Sequence, residues 1–210
     1  MSALPVITTL KHANQGLVSP LVRLAHHQTD ETGNLLATGG TNPLPVSGSV
    51  TVAGTTYNGT ATITRAANAT PYTIGDVVGG AFTLATAGPV SADVLLIGLT
   101  LLYNVSALPS GLQNFTAHFY NVTPPSAIAD NSPFTLGSGD RAAYLGRIDN
   151  IPISAVGVGT QTVVGQLDNF IKKLACDSSG QIFGYLVTNQ AFTPAGNSET
   201  ISLRSDGLKP

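Results

Sequence analysis

Between Asn114 and Tyr120 the side chains alternate in character. Phe115, Ala117 and Phe119 fall on one side of an extended chain and Asn114, Thr116 and His118 on the other, the two-residue period of a half-buried strand. The pattern predicts that the first set is core and the second faces solvent or a partner, with His118 as an interface residue. Upstream, Val94 to Tyr103 is almost uniformly apolar, as expected of a strand covered on both faces. Joined through ALPSGLQ, the two segments predict a central antiparallel hairpin to which further strands are added.

The same rhythm starts at about Gly48, with Ser49 to Val52 as a first strand. Asn58-Gly59 is the dipeptide most favoured in tight hairpin turns. YTIGDVVGGAFTLATAG divides into two segments at Gly79-Gly80, and RAAYLGRIDNIPIS and TQTVVGQLDNF are extended, with Pro152 suiting an edge or a strand end. Asp177 to Gly180 is a turn before QIFGYLVTNQAF, and ETISLRS closes the series. DNFIKKLAC fits two helical turns or a strand. Many short strands with Gly and Pro punctuation predict an all-β protein, an antiparallel β-sandwich of jelly-roll type.

Residues 1–46 break this rhythm. Pro5, Pro20, Pro43 and Pro45 interrupt any long regular element, so the segment reads as an extended N-terminal arm, with residues 47–210 forming the sandwich. Val18, Leu21, Val22 and Leu24 give the arm an apolar patch that needs burial, and they are its candidate interface residues.

Composition sharpens this picture. Only 10% of residues are charged, against about a quarter in ordinary domains, while 42% are hydrophobic. The surface is therefore largely Ser, Thr, Asn and Gln, which suits contact with neighbours because few charges need desolvating. A formal net charge of −2 with scattered basic residues argues against nucleic acid as a partner. No apolar run reaches membrane-spanning length, and MSALPVITTLKH does not read as a signal peptide; the expectation is a non-membrane protein made in a cytoplasm. The five glycosylation sequons, at Asn58, Asn68, Asn104, Asn114 and Asn121, then stay silent. Cys176, between apolar neighbours and a turn, reads as a small buried hydrophobe.

Little points to chemistry. His26-His27 with Asp30 and Glu31 holds ligand atoms, but adjacent histidines diverge on an extended chain. Asp130, Asn131, Ser132 and Asp140 offer hard oxygens without the spacing of a calcium loop, and side-chain turns are the favoured reading. There is no nucleophile elbow, zinc-protease pair or phosphate loop, and the acidic residues nominate no catalytic pair. Neither an enzyme nor a cofactor is expected.

GNLLATGGTNPLPVSGSVTV followed by TITRAANATPYTIGDVVGG, and later LTLLYNVSALPSGLQNFTAHFYNVTPPSAIADNSPF, resemble stretches of virion structural proteins of tailed bacteriophages, of the capsid decoration or cement type. The resemblance implies a protein on the capsid surface that binds across major capsid protein subunits and stabilises the head, commonly as a homotrimer. The alternative is a receptor- or carbohydrate-binding virion module, a head fibre or tail adhesin.

Overall fold

The computed structural model describes residues 54–157 and 163–210, together with the backbone of two short strands near the N-terminus. The chain divides into two units, 1–52 and 53–210. In the first, β1 (Gln28–Thr29) and β2 (Leu35–Leu36) pair antiparallel, so the stretch read as an arm carries a short ladder of its own. Val18, Leu21, Val22, Leu24 and the histidines at 12, 26 and 27 lie outside the described residues.

The second unit is all-β. Its strands are β3 (Thr56–Thr64), β4 (Val77–Leu84), β5 (Asp93–Tyr103), β6 (Asn114–Tyr120), β7 (Tyr144–Ala155), β8 (Val163–Ala175), β9 (Ile182–Thr188) and β10 (Thr200–Leu208). Among the described residues the only helical turn is a 3-10 segment, Ser138–Asp140. The eight strands form one antiparallel sheet in the order β3-β10-β5-β8-β7-β6-β9-β4. Its two ends meet where Thr60 and Ala85 exchange backbone hydrogen bonds of 3.1 and 2.9 Å, so the sheet is nearly closed and barrel-like.

The inward face carries the main core. Val94, Leu96, Leu99 and Leu101 of β5 and Phe115, Ala117 and Phe119 of β6 are all 0% exposed, the last three as their alternation predicts. Phe119 and Phe82 meet edge to face at 6.3 Å, a packing that adds to area burial.

Strand pairing corrects the hairpin reading. β5 lies between β10 and β8, while β6 lies between β7 and β9. The 104–113 connection buries Val105 and Leu112 in the core, so it crosses the barrel instead of turning back on β5. Nor is β5 covered equally on both sides, since Leu95, Ile97 and Leu102 are only half-buried.

Asn58-Gly59 is likewise not a turn. It sits inside β3 opposite Asp206 and Ser205, where a Cβ on Gly59 would collide with Ser205 Oγ and lie 3.0 Å from Ala87 Cα. Close approach, not reversal, is what the glycine serves. Gly79-Gly80, at φ 73° and 80°, forms a bulge within β4, where the pairing with β9 shifts register.

Two strands depart from the sequence pattern. DNFIKKLAC completes β8, with Asn169 at φ 61° beside a register shift against β5. Pro152, read as an edge or end residue, lies inside β7, where that strand passes from β6 to β8. A residue without an N–H is tolerated at this handover because no continuous ladder asks it to donate.

Candidate interaction face and the polar clusters around it

On the outer side of β3, β10, β5 and β8, paired residues share a face and form rows four strands wide. One row runs Thr62, Ser202, Leu102, Val164; the next Thr60, Arg204, Thr100, Gln166; the third Asn58, Asp206, Gly98, Asp168. Only Arg204, Asp206 and Asp168 in these rows are charged. Ser202, Thr100, Leu102 and Val164 are half-buried, and the β3 positions are exposed. The result is a broad face of hydroxyl, amide and aliphatic groups.

The third row holds a pair that the sequence did not nominate. Asp206 and Asp168 flank Gly98 from opposite sides, their oxygens 2.9 and 3.4 Å from the point a Cβ there would occupy. The cross-strand register brings together residues 38 apart in sequence, which no spacing rule reveals. Both are exposed, and Asp168 also accepts a 2.6 Å bond from Gln166 Nε2. Water screens a pair so placed.

The outer side of β4, β9, β6 and β7 is different, and here the expectation for His118 is corrected. Thr116 is 4% and His118 6% exposed: Thr116 Oγ1 donates to Asn189 Oδ1 at 3.0 Å, and the segment 121–143 lays Phe134 over His118. Phe134 stacks on the His118 ring at 3.8 Å, and Tyr144 OH lies 3.0 Å from Nδ1. Burial, aided by Arg147 and opposed by Asp149, pulls the imidazole down to about 4. His118 is thus a neutral packing residue within this chain's own fold, not an open interface residue. The alternation of β6 was legible; the cover over its polar side was not, since 121–143 has no periodicity of its own.

Several ties hold that cover. Asn131 N donates to Val77 O at 2.8 Å, Val77 N to Ser132 O at 2.9 Å and Phe134 N to Gly75 O at 2.8 Å. Ile128 N reaches Tyr185 OH at 2.9 Å. Asp130 accepts from Tyr72 OH at 2.6 Å, Gly79 N at 2.7 Å and Ala66 N at 2.9 Å. Its oxygens are therefore spent on protein donors 51 to 64 residues away in sequence, so Asp130 is a long-range tie and not the local side-chain turn that the sequence suggested. Asp140, 1% exposed, accepts from Ser126 N at 3.0 Å. Among the described residues no three His, Cys, Asp or Glu are grouped to hold a metal.

Asp130 also joins a buried network. Arg65 Nη1 is paired with Glu199 Oε2 at 2.8 Å, both side chains nearly inaccessible. Arg65 Nε donates to Tyr72 OH at 2.7 Å, and Tyr103 OH donates to Glu199 Oε2 at 2.5 Å. Burial pushes both phenols up, with Asp130 accepting from Tyr72 and Glu199 from Tyr103, so they remain neutral donors. Arg65 and Glu199 match each other in charge while Asp130 is held by neutral donors, which makes the network a structural tie between the end of β3, β5 and the segment before β10. Cys176 is 6% exposed and burial pushes its thiol up to about 11, the state of a buried hydrophobe and not of a nucleophile.

Against this geometry, comparison with known proteins identifies no relative: no family model and no curated protein matches the chain. No helix among the described residues is long and apolar enough to cross a membrane.

Proposed function

We propose that this chain is a virion structural protein of the capsid decoration or cement type, which binds across neighbouring major capsid protein subunits and stabilises the head. The observation that carries the reading is the open outer face of β3, β10, β5 and β8. Its rows offer wide contact with three charges to desolvate, which favours adhesion to another protein surface over catalysis. In this reading the barrel-like body serves as the jelly-roll-like sandwich of such proteins. Residues 1–46 act as the arm, with Val18, Leu21, Val22 and Leu24 against a neighbour, and three copies gather at a capsomer junction on the capsid surface. No cofactor takes part.

The test is co-sedimentation of the purified chain with heads that lack it and, separately, with free coat subunits. Retention on heads alone, weakened by deletion of residues 1–46, is the expected result. Heads that are equally robust without the protein but fail to adsorb to host cells would favour the alternative, a receptor- or carbohydrate-binding module.

A further inference from the structure

Past the third row of the open face, β10, β5 and β8 fall out of step with one another. Asp206 pairs with Gly98 but the next residue, Gly207, pairs with Leu96, so Ile97 is an extra residue, a bulge against β10. Against β8 the step is wider, from Gly98 opposite Asp168 to Leu96 opposite Lys172, and Asn169 stands inside it at φ 61°. Bulges re-aim side chains. Here Ile97 and Ile171 come to border one open hollow with Gly98, Asp168 and Asp206.

The next row continues the apolar character. Leu208 pairs with Leu95, whose neighbours Val94 and Leu96 are buried in the core, so Leu95 and Leu208 lie on the outer side. Leu95, Ile97 and Leu208 are half-buried, and Ile171 is 78% exposed. None of the four belongs to either hydrophobic cluster of the protein. Single exposed aliphatics are ordinary on a protein surface, but four gathered across three strands at a double bulge form a patch of the kind that marks an interface.

The charges beside the patch are one-sided. Asp168 and Asp206 turn their oxygens toward the space that a Cβ of Gly98 would fill, and among the described residues neither is in an ion pair, not even with Arg204 two residues along β10. At the far edge Lys173 is already matched by Asp93 at 2.7 Å. Two like charges held over a bare glycine repel each other, and a cation brought against both relieves that repulsion. We propose that this patch is the contact centre of the open face and takes a protein surface presenting an apolar side chain beside a cationic one. The apolar group covers Leu95, Ile97, Ile171 and Leu208, and the cation lies against Asp168 and Asp206. This rests on the reading of the open face as the surface that docks on capsid protein.

Quantitative co-sedimentation with heads that lack the protein, using the full chain and surface variants of it, tests the proposal. Ile171→Ser should weaken retention by about tenfold, as expected of a side chain at a contact centre, and Asp168→Asn combined with Asp206→Asn by a similar factor. Added salt should weaken the wild type and leave the doubly neutralised chain nearly unchanged. Ile74→Ser, comparably exposed at 72% but placed before β4, should leave retention as it is. Every variant should melt no lower than the wild type, since none of these side chains lies in the core. Equal retention of all variants overturns this inference alone, whereas no retention of the wild type overturns the capsid reading and this one with it. A wild-type dimer in solution that Ile171→Ser dissolves would assign the patch to a second copy and also overturn the inference.

Discussion

The two outer faces of the sheet have the same strand rhythm and opposite fates. On β3, β10, β5 and β8, outward residues such as Thr62, Ser202 and Gln166 are exposed or half-buried. On β4, β9, β6 and β7, outward residues such as Val187, Tyr185 and His118 are buried beneath 121–143. The covered side holds five aromatic or imidazole rings in mutual contact, among them Tyr120 and Tyr185 at 5.9 Å and Phe134 and Tyr185 at 6.1 Å. A face that rich in rings would be an aggregation hazard if bare, and the chain spends a long connection on hiding it. The open side needs no such cover, because hydroxyls and amides dominate it. A polar position in a strand pattern therefore does not by itself mark an exposed one.

Substitutions can break this contrast. The largest effect is expected at the network that ties the cover to the barrel: Glu199→Ala leaves Arg65 buried without its partner and should cost about 3–5 kcal/mol by chemical denaturation. Phe119→Ala, in the main core, belongs to the same range of about 3–5 kcal/mol. On the covered face, Tyr185→Phe removes the acceptor of Ile128 N and should cost about 1–3 kcal/mol. On the open face, Thr62→Lys or Ser202→Lys should stay within about 0.5 kcal/mol. Equal sensitivity of the two faces would erase the distinction.

Acid sharpens it further. The folded imidazole of His118, at about 4, lies below the value of about 6.5 expected when the chain unfolds. The unfolded state thus binds the proton more readily, and the stability this group supports is complete above about pH 6.5 and lost as pH falls toward 4. The loss should be on the order of 3 kcal/mol by pH 4. Comparing unfolding of the wild-type chain and His118→Phe from pH 7 to 4 checks it, since the variant should lose less stability over that window. Parallel curves would mean that the cover does not desolvate His118.

Local chemistry was legible in the sequence and long-range pairing was not. Alternation identified the inward residues of β6 because a one-residue slip would expose Phe115, Ala117 and Phe119 together. The Asp177 to Gly180 turn was legible because Asp177 caps it with its own carboxylate. Asn58-Gly59 misled because a glycine that admits a close neighbour has the same letter as one that turns the chain. The β5 and β6 hairpin misled for a deeper reason. Among consecutive strands of the eight-stranded sheet only β6 with β7 and β7 with β8 form ladders, so most partners are distant in sequence. The carboxylates over Gly98 come together only through that distant pairing.

Capsid decoration through the open face is the central claim, and thermal rupture of phage heads tests it most directly. Heads lacking the protein should rupture at a lower temperature than complete heads, and added wild-type protein should restore the difference. At a free concentration about a hundred times its Kd, each site gains about 2.7 kcal/mol, which many sites multiply. Ser202→Lys, folded and stable, should fail to restore it. Bare heads that rupture at the same temperature as complete ones, or full rescue by Ser202→Lys, would contradict the account.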